Sequence, residues 1–225
     1  MVRKPEMILI DVDGTLVDSV PDLSYCVNAM MRQLGLPERD EAEVRDWVGN
    51  GVERLVQRGL VGALDGRPDE KLYRRALPVF MELYRENTSQ RSHLYPGVLE
   101  GLDYLKGTGI SLGSVTNKAA CFTEPLLQDL GIYEDFSLVI SGDTLAKKKP
   151  DPAPLLYAAE HFQVEPTRAL MVGDSVNDVN AARAAGFQIV CVSYGYNHGQ
   201  DIRDAQPDAV IDSLAEIRTI LEQAA

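Results

Sequence analysis

Short apolar runs that each end in a turn recur along the chain, and they constrain the fold more than any other feature. Each run is continuously apolar rather than alternating, which is typical of a strand buried on both faces of a parallel sheet. The runs are Met7–Asp11, Ile110–Thr116, Leu138–Ser141, Ala169–Gly173 and Ile189–Ser193. Helical spacing separates the runs from residue 95 onward, and Gly107, Gly131 and Gly186 are suited to end three of those helices. Alternating strands and helices predict the α/β class with a doubly wound parallel sheet.

The segment between residues 20 and 88 interrupts this alternation. Its apolar residues follow helical spacing, and it holds no convincing strand pattern. The expected helices are Leu23–Leu34, Glu41–Val48, Val52–Leu60 and Glu70–Tyr84. We therefore expect two domains, an α/β core formed by residues 1–19 and 89–225 and an inserted helical domain formed by residues 20–88. The alternative is that these helices simply pack on one face of the sheet.

The chain is acidic, with 22 Lys and Arg residues against 34 Asp and Glu residues and a net charge of -12. Such a charge repels nucleic-acid backbones and anionic lipid, so we expect neither a nucleic acid nor a membrane as a partner. An anionic small-molecule substrate would require added positive charge, and a divalent metal ion is the obvious source of it.

The sequence offers no signal for export or for membrane insertion. The first apolar run is short and meets Asp11 and Asp13, and no run approaches the ~18 apolar residues of a membrane span. Cys26, Cys121 and Cys191 are widely separated, which favours buried free thiols in a reducing compartment. We expect a cytoplasmic protein that is a monomer or a homo-oligomer.

Two carboxylates follow the first predicted strand in the stretch DVDGT, residues 11–15. Side chains two positions apart on a strand point the same way, so Asp11 and Asp13 should project together from its carboxyl end. That end is where open α/β sheets bind ligands. The alternatives are a surface turn and a calcium loop. A calcium loop counted from Asp11 would need Glu at its twelfth position, where Asp22 stands.

Polar residues also follow three other predicted strands. The stretch SVTNK, residues 114–118, places Thr116 and Asn117 beside a strand end, where both could donate hydrogen bonds to a phosphoryl oxygen; an ordinary strand–turn boundary is the alternative. Lys149 precedes a proline at a helix start, whereas the two lysines before it are typical of a solvated face. Asp174 and Asp178 add carboxylates at the same sheet edge, although Asp178 also suits a helix N-terminus.

Taken in order, these residues resemble the four motifs of the haloacid-dehalogenase superfamily of aspartyl-phosphate phosphatases. The resemblance spans essentially the whole chain and implies a Rossmann-like core with an inserted helical cap domain. Longer stretches narrow the resemblance to bacterial phosphatases of this superfamily that hydrolyse 2-phosphoglycolate. These stretches are DVDGTLVDSVPDL, WVGNGVERLVQRGL, VTNKAA, KKPDP, VGDSVND and YGYNHGQDI.

The resemblance implies roles for the carboxylates. Asp11 would be the nucleophile and a metal ligand. Asp13 would protonate the leaving alkoxide, would then deprotonate the hydrolytic water, and would bind the metal through its backbone carbonyl. Asp174 would bind Mg²⁺ directly, and Asp178 would lie in the outer shell. The expected cofactor is therefore Mg²⁺, with Mn²⁺ left open.

The resemblance also implies the substrate contacts. Thr116 and Lys149 would hold the phosphoryl group, with help from Asn117. Because the core motifs contact only that group, substrate choice should lie in the cap, where Asn50 could face the site. Arg54 could reach a substrate carboxylate, and its alternative is an ordinary surface arginine.

The residues fit an Mg²⁺-dependent phosphatase of a small phosphate monoester better than several other functions. A receiver domain would be about half as long and would lack the insert. A haloalkanoic-acid dehalogenase would need neither Asp13 nor Asp174, and a binding protein would have no use for the cluster. The remaining alternative is a sugar-phosphate phosphatase or phosphohexomutase of the same superfamily.

Overall fold

The computed structural model describes residues 2–224. A six-stranded parallel sheet forms its centre, with the strand order β5-β4-β1-β6-β7-β8. Its strands are β1 (Met7–Ile10), β4 (Ser111–Val115), β5 (Leu138–Ile140), β6 (Ala169–Gly173), β7 (Gln188–Val192) and β8 (Ala209–Ile211). The predicted doubly wound α/β fold is confirmed, and all five predicted strands are present. The sequence analysis missed β8, a three-residue strand at the sheet edge.

Helices cover both faces of the sheet, which explains why apolar side chains dominate its strands. Along β1, Ile8 and Ile10 pack into the hydrophobic cluster on one face, and Met7 and Leu9 pack into the cluster on the other. The helices that follow the insert are α5 (Val98–Lys106), α6 (Ala120–Asp129), α7 (Ala153–Phe162), α8 (Val176–Ala185) and α9 (Ile217–Glu222).

Four helices lie between the first strand and residue 87, close to the predicted ranges. They are α1 (Val20–Gln33), α2 (Glu41–Trp47), α3 (Val52–Val61) and α4 (Glu70–Glu86). Their apolar faces meet in a third hydrophobic cluster that contains Trp47, Phe80 and Tyr84. The division into two domains at these boundaries stays a prediction.

Two short chain segments lead into and out of these helices. Strand β2 (Val17–Asp18) pairs antiparallel with β3 (His93–Leu94), a ribbon the sequence did not predict. Just beyond it, the buried carboxylate of Asp22 accepts hydrogen bonds from the backbone N–H groups of Arg91 and Ser92 at 2.9 and 2.8 Å. The helical segment is therefore fastened where the chain enters and leaves it.

The cysteines differ in exposure. Cys26 and Cys191 are buried free thiols, but Cys121 is exposed, so the prediction of burial is wrong for that residue. None of the helices within residues 2–224 combines the length and apolar character needed to cross a bilayer.

Candidate active site

The register of the central strands brings the predicted motifs together. Ile10 at the end of β1 pairs with Ser114 of β4 on one side and with Val172 of β6 on the other. The residues that follow these three positions therefore emerge side by side at one edge of the sheet. Asp11 occupies the middle, and its backbone N–H continues the ladder by donating to the carbonyl of Val172 at 2.9 Å.

Lys149 lies buried between two carboxylates. Its Nζ is 2.8 Å from Oδ1 of Asp11 and 2.7 Å from Oδ1 of Asp178, and it donates to the carbonyl of Val115 at 2.7 Å. Burial opposes the ammonium charge, but Asp11 and Asp178 outweigh it and raise the pKa of Lys149. The ammonium is therefore held in place as a permanent cation at the sheet edge.

Asp174 follows β6 and lies opposite Asp11. Its Oδ1 accepts a hydrogen bond from the hydroxyl of Thr15 at 3.2 Å, and its Oδ2 accepts one from the backbone N–H of Tyr196. Gly14 approaches this carboxylate closely, because an added Cβ there would lie 2.2 Å from Oδ2 of Asp174. The position and orientation of Asp174 thus depend on a glycine and on a loop distant in sequence.

Both oxygens of Asp178 already have partners. Oδ1 accepts from Lys149, and Oδ2 accepts from the Ser175 hydroxyl at 2.8 Å and from the Ser175 backbone N–H at 3.1 Å. Ser175 and Asp178 together form the capping box at the start of α8. Asp178 therefore caps the N-terminus of α8, as the sequence analysis considered, and also contacts Lys149.

Asp11, Asp174 and Asp178 form a cluster in which one oxygen from each lies within 4.8 Å of the others. Burial raises the pKa of Asp11 to about 7, against the opposing charge of Lys149 and with support from Asp178. Burial and the charge of Asp178 also raise the pKa of Asp174.

Three carboxylates against one ammonium leave an excess of negative charge in a buried place. Apart from the Lys149 ammonium, no donor within residues 2–224 reaches the buried Oδ1 of Asp11. This all-oxygen donor set fits a hard divalent cation.

The side chain of Asp13 points to a different partner, Lys118. The Lys118 Nζ donates to Oδ1 and Oδ2 of Asp13 at 3.0 and 3.2 Å, and it also donates to the hydroxyl of Tyr84 on α4. Burial disfavours the charge of Lys118, but Asp13 and Tyr84 outweigh it and raise its pKa. Sequence reasoning gave Lys118 no role, and no local pattern marks it, because its partners Asp13 and Tyr84 are distant along the chain.

The hydroxyl of Thr116 is available to a ligand, whereas the side-chain amide of Asn117 is engaged by backbone carbonyls. Thr116 lines the central cavity, and its Oγ1 accepts from the backbone N–H of Lys118 at 3.2 Å, which leaves its own hydroxyl hydrogen available. The amide of Asn117 donates to the carbonyls of Gly49 and Lys149 at 3.0 and 2.9 Å. Since both neighbours are acceptors, the amide nitrogen must face them. Asn117 therefore joins the helical segment to the sheet edge.

A cavity of about 40 Å³ lies between this edge and the helices. Asp11, Asp13, Thr116, Lys118, Lys149 and Asp174 form its polar side. Its opposite wall is apolar and consists of Leu23, Val48, Val52 and Leu55. On this scale one water needs about 10–15 Å³, so the cavity has room for only a few water-sized atoms.

The loop between α2 and α3 closes the cavity through its backbone. Gly49 and Gly51 have φ angles of +113° and +88°, which glycine adopts without strain. The Gly49 carbonyl accepts from Asn117, and the Asn50 carbonyl accepts from Lys148 Nζ at 3.1 Å. Lys148 is thus a contact of this loop rather than a solvated residue. The side chain of Asn50, predicted to face the site, does not line the cavity.

Arg54 lies away from the cavity, contrary to the expectation that it could reach a substrate carboxylate. Its guanidinium donates to the carbonyls of Leu64 and Gly66 at 3.0 and 2.8 Å. The chain after α3 turns back beside this side chain and offers those carbonyls. The structure therefore gives Arg54 a role in holding residues 62–66.

The arrangement can act on a phosphate ester. It offers a carboxylate at a strand end for attack, a second carboxylate for proton transfer, a fixed ammonium, and oxygen ligands for a divalent cation. These groups lie at one edge of a parallel sheet under a helical cover, which defines a hydrolase of the phosphoryl-transfer type.

Comparison with known proteins defines the family. The model for haloacid dehalogenase-like hydrolases matches residues 8–192, and this protein belongs to that family. A phosphoglycolate phosphatase of Nitrosococcus oceani is 66% identical over the full length of both chains. A phosphoglycolate phosphatase of Nitrosospira multiformis is 46% identical over 96% of this chain and 95% of its own. The crystal structure of a predicted phosphoglycolate phosphatase from Haemophilus somnus superimposes with a TM-score of 0.91 at 38% identity and covers 98% of this chain and 99% of its own.

Proposed function

We propose that this protein hydrolyses 2-phosphoglycolate to glycolate and phosphate, with Mg²⁺ and through an aspartyl-phosphate intermediate. The observation that carries the choice of substrate is the 66% identity, over the whole length of both chains, to the phosphoglycolate phosphatase of Nitrosococcus oceani. The site geometry supports the chemistry. We also propose that the protein works in the cytoplasm, which its three unpaired cysteines favour.

Asp11 is the proposed nucleophile. One of its carboxylate oxygens attacks phosphorus, and the bond between phosphorus and the ester oxygen breaks. Asp13 gives its proton to that ester oxygen, which leaves as the hydroxyl of glycolate. Lys149 and the hydroxyl of Thr116 hold the phosphoryl oxygens. Proton transfer alone does not account for catalysis, because phosphate monoesters are among the slowest compounds to hydrolyse and one general acid or base supplies only ~10²–10⁴; a covalent step divides the reaction into two easier ones.

The second half of the reaction uses the same groups. Asp13, now ionised, takes a proton from water as the water oxygen attacks phosphorus. The bond between phosphorus and the Asp11 oxygen breaks, inorganic phosphate leaves, and the Asp11 carboxylate is restored. Asp13 thus alternates between acid and base while Asp11 alternates between carboxylate and acyl phosphate.

Asp11, the backbone carbonyl of Asp13 and Asp174 would hold Mg²⁺, with Asp178 outside the direct ligands. The ion supplies neutralising charge for the phosphoryl oxygens. The saturated hydrogen bonding of Asp178 supports its outer position, since both of its oxygens are engaged by Lys149 and Ser175.

Residues 20–88 are proposed to act as a cap domain that closes over the sheet edge. The small cavity and its apolar wall support this role, because the helical segment lies close over the sheet edge. Any phosphate ester would need the loop of residues 48–51 to withdraw, and a hexose phosphate would need a larger withdrawal than a two-carbon ester, so the sugar-phosphate alternative is disfavoured.

A substrate panel tests the proposal. We expect kcat/KM for 2-phosphoglycolate to exceed that for glucose 6-phosphate, fructose 6-phosphate and glycerol 3-phosphate, with activity lost on chelation and restored by Mg²⁺. A preference for a hexose phosphate would overturn the proposed substrate. Full activity in the chelated, dialysed protein would overturn the metal requirement.

A further inference from the structure

The cavity offers its ligand very little positive charge. Among the residues that the structure describes, the cationic side chains lining it are Lys118 and Lys149. Lys149 is held between Asp11 and Asp178 and lies where the phosphoryl group is proposed to bind. A carboxylate elsewhere on the ligand therefore has Lys118 as the remaining cation within the cavity wall.

Other nearby cations are engaged away from the cavity. The guanidinium of Arg54 donates to the carbonyls of Leu64 and Gly66. Lys148 donates to the carbonyl of Asn50. Neither side chain lines the cavity, so neither can take the place of Lys118 without a rearrangement of the loop that it supports.

Lys118 contacts both the core and the helical segment. Its side chain is 2% exposed and follows β4 in the core, and its Nζ contacts Asp13 of the core and Tyr84 of the helical segment. An ammonium has three N–H donors. Lys118 can therefore keep Tyr84 and one oxygen of Asp13 as acceptors while it directs its third N–H toward a ligand.

The position of Lys118 matches the shape of the proposed substrate. Asp13 is proposed to protonate the ester oxygen, so that oxygen binds within hydrogen-bond reach of the Asp13 carboxylate. In 2-phosphoglycolate a single methylene separates the ester oxygen from the carboxylate. With the ester oxygen bound beside Asp13, a cation 3.0 Å from Asp13 Oδ1 would be close enough to meet a carboxylate one carbon away.

We propose that Lys118 is the specificity-determining residue, and that its ammonium binds the carboxylate of short phosphate esters whose carboxylate lies one carbon from the ester oxygen. This inference rests on the proposed function and deepens it. Tyr84 acts as a positioning residue that brings the helical segment into the same contact. Selectivity then depends on the ion pair between Lys118 of the core and the ligand carboxylate, and Tyr84 of the helical segment holds the Lys118 ammonium in place.

The test compares 2-phosphoglycolate with the phosphate ester of glycolamide, which replaces the carboxylate by a neutral amide of the same shape. The ratio of the two kcat/KM values is measured for the wild type and for Lys118→Met. A hydrogen bond to a charged group is worth about 1.5–3 kcal/mol, so we expect the ratio to fall by about 10- to 150-fold in the variant. The ratio cancels any effect that loss of Lys118 has on Asp13, because that effect is common to both substrates.

Lys147→Met is the matched control, since Lys147 is exposed and pairs with Asp151 on the surface. It should leave the ratio unchanged. If Lys118→Met does not fold, as judged by circular dichroism and thermal melting, Lys118→Gln decides the matter, because it keeps a donor for Asp13 and Tyr84 but removes the charge. We expect the same fall in the ratio for Lys118→Gln.

The possible outcomes separate this inference from the proposed function. A wild type that prefers 2-phosphoglycolate and a variant that keeps this preference, even with lower kcat on both esters, would overturn the role of Lys118 and leave the proposed function standing. A wild type with no preference for the charged ester would overturn the proposed substrate, and the role of Lys118 with it.

Discussion

Gly14→Ala should damage metal binding through Asp174. Gly14 has a φ of +88°, and an added Cβ would lie 2.2 Å from Oδ2 of Asp174 and 2.9 Å from a ring carbon of Tyr196. The Asp174 carboxylate must therefore retreat by about 1 Å to reach van der Waals contact. Its hydrogen bonds with the Thr15 hydroxyl and the Tyr196 backbone would stretch or break.

Two separate costs follow from this geometry. A non-glycine residue in the left-handed region costs about 1–2 kcal/mol of folding free energy. Displacing a metal ligand or its supporting hydrogen bonds lowers metal affinity by about 10–100-fold. The first cost appears in stability, and the second appears in the Mg²⁺ concentration that gives half-maximal activity.

Gly131→Ala separates these two costs. Gly131 follows α6 with a φ of +73°, and beyond its own chain neighbours no atom of residues 2–224 lies within 4 Å of its added Cβ. Both variants should lose stability in chemical denaturation, but only Gly14→Ala should require about 10–100-fold more Mg²⁺ in a titration of phosphatase activity. Equal Mg²⁺ requirements for Gly14→Ala, Gly131→Ala and the wild type would refute the placement of Asp174 as a ligand.

Three further outcomes follow from the same site. Asp11→Asn should lower kcat to below about one-hundredth of the wild type without lowering Tm, because it removes the nucleophile and a buried charge; substantial remaining turnover would contradict this. Asp13→Asn should slow 2-phosphoglycolate far more than an aryl phosphate with a good leaving group, since only the poor leaving group needs the acid, and equal losses would argue against that role. Because the Asp11 pKa is raised to about 7 from an ordinary 3.8, the folded metal-free protein holds this proton more tightly than the unfolded chain. The stability of the metal-free protein should therefore decline as pH rises from about 4 to 7. Because Mg²⁺ competes with this proton, the increase in Tm that Mg²⁺ causes should become larger over the same pH range. A Tm increase that stays constant or becomes smaller between about pH 5 and 7 would contradict this.

The sequence predicted the elements whose signal is local and continuous. The strands β1, β4, β6 and β7 lie within short runs that are mostly apolar, and the helices of residues 20–86 keep their spacing over two turns or more. The ribbon of β2 and β3 has only two residues in each strand, so its pairing depends on tertiary packing rather than on pattern. The same holds for β8 at the sheet edge, where three residues give no periodicity to read.

The site residues also divide into those whose position follows from the strand order and those whose direction depends on neighbouring side chains and carbonyls. Asp11, Thr116 and Asp174 follow strands whose order fixes where they emerge, so strand recognition was enough to bring them together. The direction of a long side chain depends on its neighbours. Carbonyls after α3 attract Arg54 away from the cavity. Tyr84 and Asp13 hold Lys118 inside it, and no motif in the sequence indicates that Tyr84 and Asp13 meet at this lysine.

Detection of a covalent phosphoryl group tests the central claim most directly. The wild-type protein is mixed with Mg²⁺ and 2-phosphoglycolate, quenched with acid within the first turnover, digested and examined by mass spectrometry. The account predicts a phosphoryl adduct on Asp11, increased in Asp13→Asn with an aryl phosphate and lost in Asp11→Asn. Turnover of 2-phosphoglycolate with the adduct on another residue, or with no adduct in either the wild type or Asp13→Asn, would contradict it.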